Sequence, residues 1–355
     1  MRILVHEFAS GGGLAGRDVP PSLAREGAAM AAALIEDLAA LRCHHIVTTA
    51  DPRFRPNAPS DVEIVTLPPG RRGRDALLDR LIESVDAVWL VAPETGRCLE
   101  RLAARVEQTG KVLLGSGAAA IHRASDKVAL PRRLARHGVP HPPTRVLRSS
   151  SDWKREWLTV ARKIGYPVVI KPGRGAACEG VSLARDAREL RGATELARHA
   201  GGPGPMLLQR YMPGVHASVS LIADSRRAVA LAVNAQCVRI SRRFSYHGGR
   251  TPFDHPLAER AIGACVRTCQ AFPGLRGYVG IDVALTDSEA VVIEVNPRLT
   301  TAYLGVRSAL DGNVAALALA ACGGVLPVLP QVRRSVRFTA AGRIVFDSEE
   351  SSATA

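Results

Sequence analysis

The sequence predicts an α/β protein that begins with a doubly wound parallel sheet and continues with antiparallel strands. Over about the first 115 residues, short apolar strands alternate with helical segments, which is the order that builds a parallel sheet. From about residue 165 onward, several strand-like runs follow one another at antiparallel spacing. The chain has 355 residues, which is long enough for two or three packed units.

The predicted N-terminal strands and helices alternate, as a parallel sheet requires. Ser22 is the predicted N-cap of the first helix, with Glu26 in its first turn. Ligands of such sheets collect at the carboxyl ends of strands, here the loops 10–13 and 93–95. The triple glycine in the first loop fits a flexible turn and a ligand-contacting loop equally well. Strands are predicted at 2–8, 45–49, 62–67, 87–91 and 112–114, and helices at 23–41, 74–85 and 99–109.

The later elements change in character. We expect residues 242–252 to form a flexible lid over a substrate, residues 336–346 to form a hairpin, and residues 348–355 to be disordered. The other predicted strands are 165–172, 181–184, 206–211, 217–223, 228–238, 277–285 and 290–295, and the helices are 126–137, 187–199, 257–272 and 313–321.

Composition narrows the function classes. The net charge is +14, but the basic residues are spread along the chain and only 4% of residues are aromatic, so we expect no nucleic-acid partner. We see no secretory signal and no membrane span. Seven cysteines without CxxC spacing argue against disulfides and zinc. We therefore expect a cytoplasmic protein.

Two neighbouring strands end near acidic residues. Asp282 lies on one, and Glu294 and Asn296 share a face of the next. These oxygen ligands suit magnesium that also contacts phosphates, whereas a bare carboxylate pair is often only a solvated surface. The complete string Glu-x-Asn-Pro-Arg is more specific, because Arg298 can meet a phosphate or carboxylate bidentately.

Two of the five lysines occupy positions suited to phosphates. Lys171 ends an apolar strand and is followed by a loop that contains Gly173, Gly175 and Gly180. Glycines let backbone N–H groups close around a triphosphate, although this is not the P-loop motif. Lys127 lies 44 residues upstream in Ser-Asp-Lys.

An apolar strand exits into a Pro-Gly hinge at residues 207–214. Its backbone could present hydrogen-bonding groups to an adenine edge, and its side chains could pack on the ring. Taken alone, the stretch is also consistent with a simple strand and turn. The residues concerned are Gln209, Arg210, Tyr211 and Met212.

The order of these motifs resembles the ATP-grasp superfamily over roughly residues 115–325. The resemblance implies ATP and two Mg²⁺ or Mn²⁺ ions, with phosphates at Lys127 and Lys171, adenine at residues 209–212 and metal at Asp282, Glu294 and Asn296. Many members carry a ribose-binding glutamate where this chain has His216. The implied organisation is a Rossmann-like pre-ATP-grasp domain (1–115), a small lobe (116–205), a large lobe (206–330), and a hairpin with a tail (331–355).

A finer resemblance is to the tyramine–glutamate ligases of methanofuran and methylofuran biosynthesis. It rests on His-Glu-Phe with the triple glycine, Arg-Glu-Gly-x-x-Met at 25–30, Asn-Ala-Gln at 234–236, and Asn-Pro-Arg-Leu-Thr-Thr-Ala-Tyr at 296–303. The resemblance implies amine and amino-acid substrates and a possible homodimer. The expected substrate contacts are Gly12, Gly13, Glu26, Thr300 and Thr301.

The implied chemistry is activation of a carboxylate as an acyl phosphate, followed by attack of an amine. Lys171 would act on the phosphoryl group and Arg298 on the oxyanion. A covalent role for Cys178 lacks an activating histidine nearby in the sequence. Two alternatives stay open: an ATP-grasp dipeptide or glutamylating ligase, and a nucleotide-binding protein without catalysis.

Overall fold

The computed structural model describes residues 1–147, 153–175, 178–202 and 204–346. The predicted disorder of residues 348–355 therefore lies outside the described residues, as do two residues of the predicted glycine loop, Ala176 and Ala177. Within the described part, no helix is both long and apolar enough to cross a membrane.

The N-terminal sheet is parallel in every pairing and has the strand order β3-β2-β1-β4-β5. This confirms the predicted parallel-sheet unit. Its apolar strands lie at the centre of two cores, one on each face of the sheet. The elements are β1 (Arg2–Glu7), α1 (Pro21–Ala40), β2 (His45–Ala50), β3 (Glu63–Thr66), α2 (Arg71–Ser84), β4 (Ala87–Val91), α3 (Cys98–Gln108) and β5 (Val112–Leu113).

Helix α1 begins earlier than the sequence pattern indicated. Pro20 occupies the N-cap position without a side-chain cap, and Pro21 is the first helical residue. Proline suits this position because its fixed φ is already helical and its missing N–H would be unpaired there. The prediction of Ser22 as N-cap is therefore wrong. Glu26 lies beyond the first turn, which contains no acidic residue.

A short helical region connects the parallel sheet to the rest of the chain, with α4 (Ala118–Ala124) and α5 (Leu130–Arg136). The predicted helix at 126–137 is shorter at its start. The Asp126 carboxylate accepts hydrogen bonds from the N–H groups of Val128 and Ala129, at 2.9 and 3.1 Å. The resulting turn presents Lys127 ahead of the helix.

A four-stranded antiparallel sheet follows, with the order β6-β9-β7-β8. Two helices bury Trp157 and Leu190 in a common core with the apolar side chains of this sheet. Asp186 caps the second helix by accepting two backbone N–H groups. The elements are β6 (Thr144–Leu147), α6 (Trp153–Ile164), β7 (Val168–Pro172), β8 (Ser182–Ala184), α7 (Ala187–Gly201) and β9 (Met206–Arg210).

The largest sheet is antiparallel and has the order β14-β13-β10-β11-β12-β15-β16. A helix covers one face, and the other face joins the core of the N-terminal unit through side chains such as Ile222 and Tyr278. The elements are β10 (Val215–Asp224), β11 (Ala228–Ile240), β12 (Phe244–Thr251), α8 (Ala258–Ala271), β13 (Arg276–Leu285), β14 (Ala290–Asn296), α9 (Ala302–Ala309), α10 (Val314–Cys322), β15 (Val336–Thr339) and β16 (Ile344–Phe346).

The segment expected to be a flexible lid, residues 242–252, is instead largely strand β12. It pairs with β11 on one side and β15 on the other. The glycines that suggested flexibility serve close packing. Gly248 has φ +127°, and a Cβ there would lie 2.0 Å from the carbonyl oxygen of Phe338. The expected hairpin at 336–346 is confirmed, and it extends the same sheet.

Candidate functional site

A cavity of about 580 Å³ lies between the two antiparallel sheets and the start of α1. The carboxyl-terminal parts of β7, β9 and β14 reach it, as do β10, β11, β12 and β13. Most of the predicted site residues therefore share one cavity. Those that line it are Glu26, Lys171, Gln209, Arg210, Tyr211, Met212, His216, Asp282, Glu294, Asn296, Arg298, Thr300 and Thr301.

The acidic set lies on β13 and β14, where Asp282 and Glu294 are direct cross-strand partners. Asn296 donates its side-chain N–H to Asp282 at 3.1 Å, and Gln236 donates to the other oxygen at 2.8 Å. Burial, followed by the negative charge of Glu294, raises the pKa of Asp282 to about 6. Gln236 belongs to the Asn-Ala-Gln string, which was a signal that the sequence interpretation did not assign to the site.

Both predicted phosphate lysines reach this acidic set. Lys127 Nζ lies 2.9 Å from a Glu294 carboxylate oxygen, although Lys127 is not itself among the described residues that line the cavity. Burial alone would raise the pKa of Glu294, but Lys127 and Lys171 outweigh it and hold that pKa below its usual value. Lys171 is only 3% exposed, and burial together with the charge of Lys127 lowers its pKa to about 8. The positive charges of Lys127 and Lys171 thus compensate the negative charges of Asp282 and Glu294.

The hinge after β9 lines the same cavity. Its backbone is partly used within the protein, because Arg210 N–H donates to Pro143 O at 2.9 Å and Tyr211 N–H donates to Pro167 O at 3.0 Å. The Gln209 side chain donates to the Thr144 hydroxyl at 2.9 Å. The hinge groups left to face a ligand are therefore those around Met212.

His216 lies between two aromatic rings, with its centroid 6.4 Å from each of Tyr211 and Phe244. Burial lowers its pKa, so the imidazole is neutral at neutral pH. Its Nε2 atom is buried and has no hydrogen-bond partner among the described residues. A buried polar atom without a partner is costly unless a ligand pairs it.

The end of the cavity nearest α1 carries a second set of charges. Arg298 forms a bidentate ion pair with Glu94, with both N···O distances at 2.9 Å. Its remaining guanidinium nitrogen donates to Leu299 O at 3.1 Å. Thr301 donates its hydroxyl to Glu26, so this carboxylate is held against the segment that follows β14. Sequence reasoning missed Glu94, although it lies in the 93–95 loop at the carboxyl end of β4.

Comparisons with known proteins agree with this arrangement. Residues 124–302 match the family described as ATP-grasp domain, and residues 44–121 match the pre ATP-grasp 3 domain. The first match spans half of the chain and contains the lysines, the hinge and the acidic set. The chain belongs to the ATP-grasp family. The predicted membership of the ATP-grasp superfamily is thereby confirmed.

Individual relatives are more distant. Over 254 residues the chain is 26% identical to the carbamoyl phosphate synthase large chain of Thermus thermophilus. The aligned region covers 70% of this chain and 24% of that protein. The chain thus spans about a quarter of the length of this curated relative.

Solved structures of other proteins share the fold, as two examples show. An ATP-grasp superfamily protein from Archaeoglobus fulgidus has a TM-score of 0.68 at 24% identity, covering 95% of this chain and 92% of that chain. An L-amino acid ligase from Bacillus licheniformis has a TM-score of 0.67 at 15% identity, covering 95% and 78%. At these identities the likeness establishes the fold alone.

The donor set fits the Mg²⁺ that ATP-grasp enzymes use with ATP. Among the described residues no group of three or more His, Cys, Asp and Glu converges on one point. Two carboxylates and one amide oxygen are nevertheless what magnesium needs when phosphate oxygens and water complete its octahedron. Asp282, Glu294 and Asn296 could hold it when nucleotide is bound.

The glycine positions fit the predicted contacts less well. Gly12 and Gly13 are not among the described residues that line the cavity, because the loop packs inward. A Cβ would come within 2.9 Å of Leu67 at Gly12 and within 2.3 Å of Phe8 at Gly13. These glycines therefore act as a close-packed turn. Gly175 and Gly180 also lie outside the lining, although both have positive φ, and the loop between them is only partly described.

Cys178 lines the cavity but does not have the properties of a nucleophile. Burial raises the pKa of its thiol to about 12, followed by the charges of Glu294 and Asp282. A thiol with this pKa carries almost no thiolate at neutral pH. This environment agrees with a reaction that forms no covalent intermediate on Cys178.

Proposed function

We propose that this protein is an ATP-dependent carboxylate–amine ligase that works through an acyl phosphate and releases ADP and phosphate. The observation that carries the proposal is the continuity of one cavity of about 580 Å³ from Lys171 and the acidic set to Arg298 and Glu26. A nucleotide site joined to a second charged site is what transfer of a phosphoryl group to a small substrate requires.

In the proposed complex the ATP phosphates lie between Lys127 and Lys171, which spread positive charge over the phosphoryl oxygens. The adenine lies against the hinge at Met212, and the unpartnered His216 Nε2 meets a ribose hydroxyl. Asp282, Glu294 and Asn296 would hold two Mg²⁺ or Mn²⁺ ions. Metal ions at this position supply charge compensation for the phosphates.

The reaction proceeds in two steps. A substrate carboxylate oxygen attacks the γ-phosphorus, the bond to the ADP oxygen breaks, and an acyl phosphate forms. The amine nitrogen then attacks the acyl carbon, phosphate leaves, and the amine loses a proton. Arg298, held in place by Glu94, points its positive charge at the oxyanion of the tetrahedral intermediate. Glu26 holds the ammonium group of an amino-acid substrate.

For the substrates we propose glutamate and an amine such as tyramine, in the biosynthesis of a methylofuran-type C1 carrier. The support is the resemblance in the segments at 25–30, 234–236 and 296–303. Each of these segments supplies a residue to the cavity wall, namely Glu26, Gln236 and Thr301. A cytoplasmic location and a homodimer stay predictions of the same proposal.

The test is ADP release by the purified protein against a matrix of amines and amino acids, with the product identified by mass spectrometry. We expect ADP release that requires both an acid and an amine, strongest with glutamate and tyramine. Preference for two amino acids would favour a dipeptide ligase. Binding of ATP without turnover for any pair would favour the non-catalytic alternative and overturn the proposal.

A further inference from the structure

The C-terminal hairpin lies beyond the ATP-grasp match, which ends at residue 302. Strand β15 pairs with β12, and β16 pairs with β15 at the edge of the large sheet. Phe338 anchors the hairpin: it is 4% exposed, and its ring packs so tightly on α9 that a Cβ at Gly305 would lie 2.4 Å from it. The hairpin is therefore an integral part of the sheet.

The turn between β15 and β16 comprises residues 339–343 and is held on three sides. Thr339 N–H donates to Arg343 O at 2.9 Å, which closes the turn, and Ala340 N–H donates to His247 O at 3.1 Å, which ties it to β12. Gly342 adopts φ +91° and packs on α1, where a Cβ would lie 2.7 Å from the Cβ of Ala29. The turn thus packs between α1 and β12.

This position places two small side chains at the substrate end of the cavity. Ala340 and Ala341 line it together with Arg25 and Glu26 of α1 and Tyr246 of β12. Ala340 is half-buried and Ala341 is exposed, so the turn forms the rim of this end. Each additional methylene group at a rigid wall changes the space open to a ligand.

We propose that the 339–343 turn limits the size of the substrate that binds beside Glu26, with Ala340 and Ala341 as its specificity-determining residues. The inference rests on the proposed ligase function and adds a wall to its substrate site. Because the turn is fixed by backbone hydrogen bonds and by Phe338, it cannot retreat from a larger ligand. The small side chains of Ala340 and Ala341 leave room for an amino acid or amine that a bulkier side chain at either position would exclude.

The experiment compares Ala341→Phe and Ala340→Val with the wild-type chain. We expect KM for the substrate beside Glu26 to rise by at least ~10-fold, and the rise to grow with the length of the substrate. KM for ATP is expected to stay within about twofold, since none of the residues proposed to bind the nucleotide lies in the turn. The melting temperature checks that both variants fold.

Val345→Phe is the matched control, because it adds a ring to the exposed surface of the same hairpin, where Val345 is 42% exposed. We expect its substrate profile to match that of the wild type. An unchanged profile in both alanine variants, or an equal change in the control, overturns the inference and leaves the ligase proposal standing. If the wild-type chain turns over ATP with no pair of substrates, both fall.

Discussion

The ion pair between Lys127 and Glu294 joins the segment before α5 to the end of β14. It brings the lysine proposed to bind phosphate and the carboxylate proposed to bind metal to a distance of 2.9 Å. Both side chains are mostly buried, at 7% and 22% exposure, so each depends on the other for charge compensation. Single-residue changes at this end of the cavity should therefore affect turnover strongly.

Glu294→Gln should lower ADP release by at least ~100-fold, because the site loses the charge that is proposed to hold metal and that pairs with Lys127. Glutamine keeps the volume and a hydrogen-bond acceptor, so the fold should persist. Steady-state ADP release measures the turnover, and circular dichroism checks that the fold persists. Glu289→Gln, at an exposed position just before β14, is the control and should keep wild-type activity. Near-normal turnover in Glu294→Gln would refute the metal assignment.

We expect nucleotide binding to depend on pH through the proposed phosphate contact of Lys171. Its pKa of about 8 means that the ammonium loses its proton as pH rises through that value. The affinity of the metal-free protein for ATP should therefore be highest below pH 8 and fall above it. For stability the sign is opposite: the buried charge disfavours folding below pH 8, and this cost is relieved as pH rises from there towards 10.5.

Calorimetric titration with ATP in a chelator, at pH values from about 6.5 to 9.5, measures this dependence. Lys171→Met should bind more weakly at low pH and lose the affinity change near pH 8. A wild-type affinity that is flat across this range would show that Lys171 does not contact the phosphates.

Glu26 is better placed for a substrate than for a helix terminus. The stabilisation of an acidic residue by the helix dipole falls off within the first turn, and α1 begins at Pro21. Glu26→Ala should raise KM for one substrate by at least ~10-fold, because an ammonium group loses its partner. KM for ATP and the melting temperature should barely change. A general small shift of all constants, with a lower melting temperature, would instead indicate a structural carboxylate that only holds Thr301.

At the scale of elements, β12 is the clearest departure from the expectation. Its run of polar and glycine residues resembles a loop, yet it is an inner strand between β11 and β15. Local composition misled here because the glycines serve close approach of a neighbouring strand that lies about 90 residues later. A strand in this position does not open as a lid.

Gly248→Ala tests this conclusion. The new Cβ would lie 2.0 Å from Phe338 O at a backbone φ of +127°. We expect the free energy of unfolding to fall by about 2 kcal/mol or more, because both strain and a clash are introduced. Gly263→Ala in α8 is the control, since its nearest contact is Arg267 Nη1 at 3.5 Å, and it should be neutral or stabilising by up to about 1 kcal/mol. Equal stability of the two variants in urea unfolding would contradict an inner strand.

At the scale of the whole molecule, α1 is bound to α9 and α10 through one residue, Asp37. Asp37 accepts hydrogen bonds from the Tyr303 hydroxyl and from Arg307, whose two nitrogens lie 3.0 and 2.6 Å away. Asn313 donates to the Asp37 backbone oxygen at 2.7 Å. These contacts hold the parallel-sheet unit against the segment that carries Arg298 and Thr301.

Asp37→Ala should therefore destabilise the protein by about 3 kcal/mol, because the Arg307 cation and the Tyr303 hydroxyl lose their buried partner. Glu36→Ala removes the neighbouring carboxylate, which is 45% exposed and 3.3 Å from Arg307, and should cost less than about 1 kcal/mol. Urea unfolding of both variants gives the comparison. A loss of similar size in both would mean that the network does not carry the contact between the two units.

The sequence by itself determined the fold class and the residue types of the candidate site. Strand and helix periodicity is local, and so is the placement of Lys171, Asp282, Glu294 and Asn296 on predicted strands. For this reason short windows of sequence were enough to predict the parallel sheet and to group these residues with a phosphate site.

Only the tertiary structure decided which distant residues meet. Glu94 and Arg298 are 204 positions apart, and their pairing depends on how two sheets pack rather than on any local pattern. The same is true of β12 as an inner strand and of the 339–343 turn at the rim of the cavity. Their positions follow from burial and close approach between separate elements, which no window of the sequence contains.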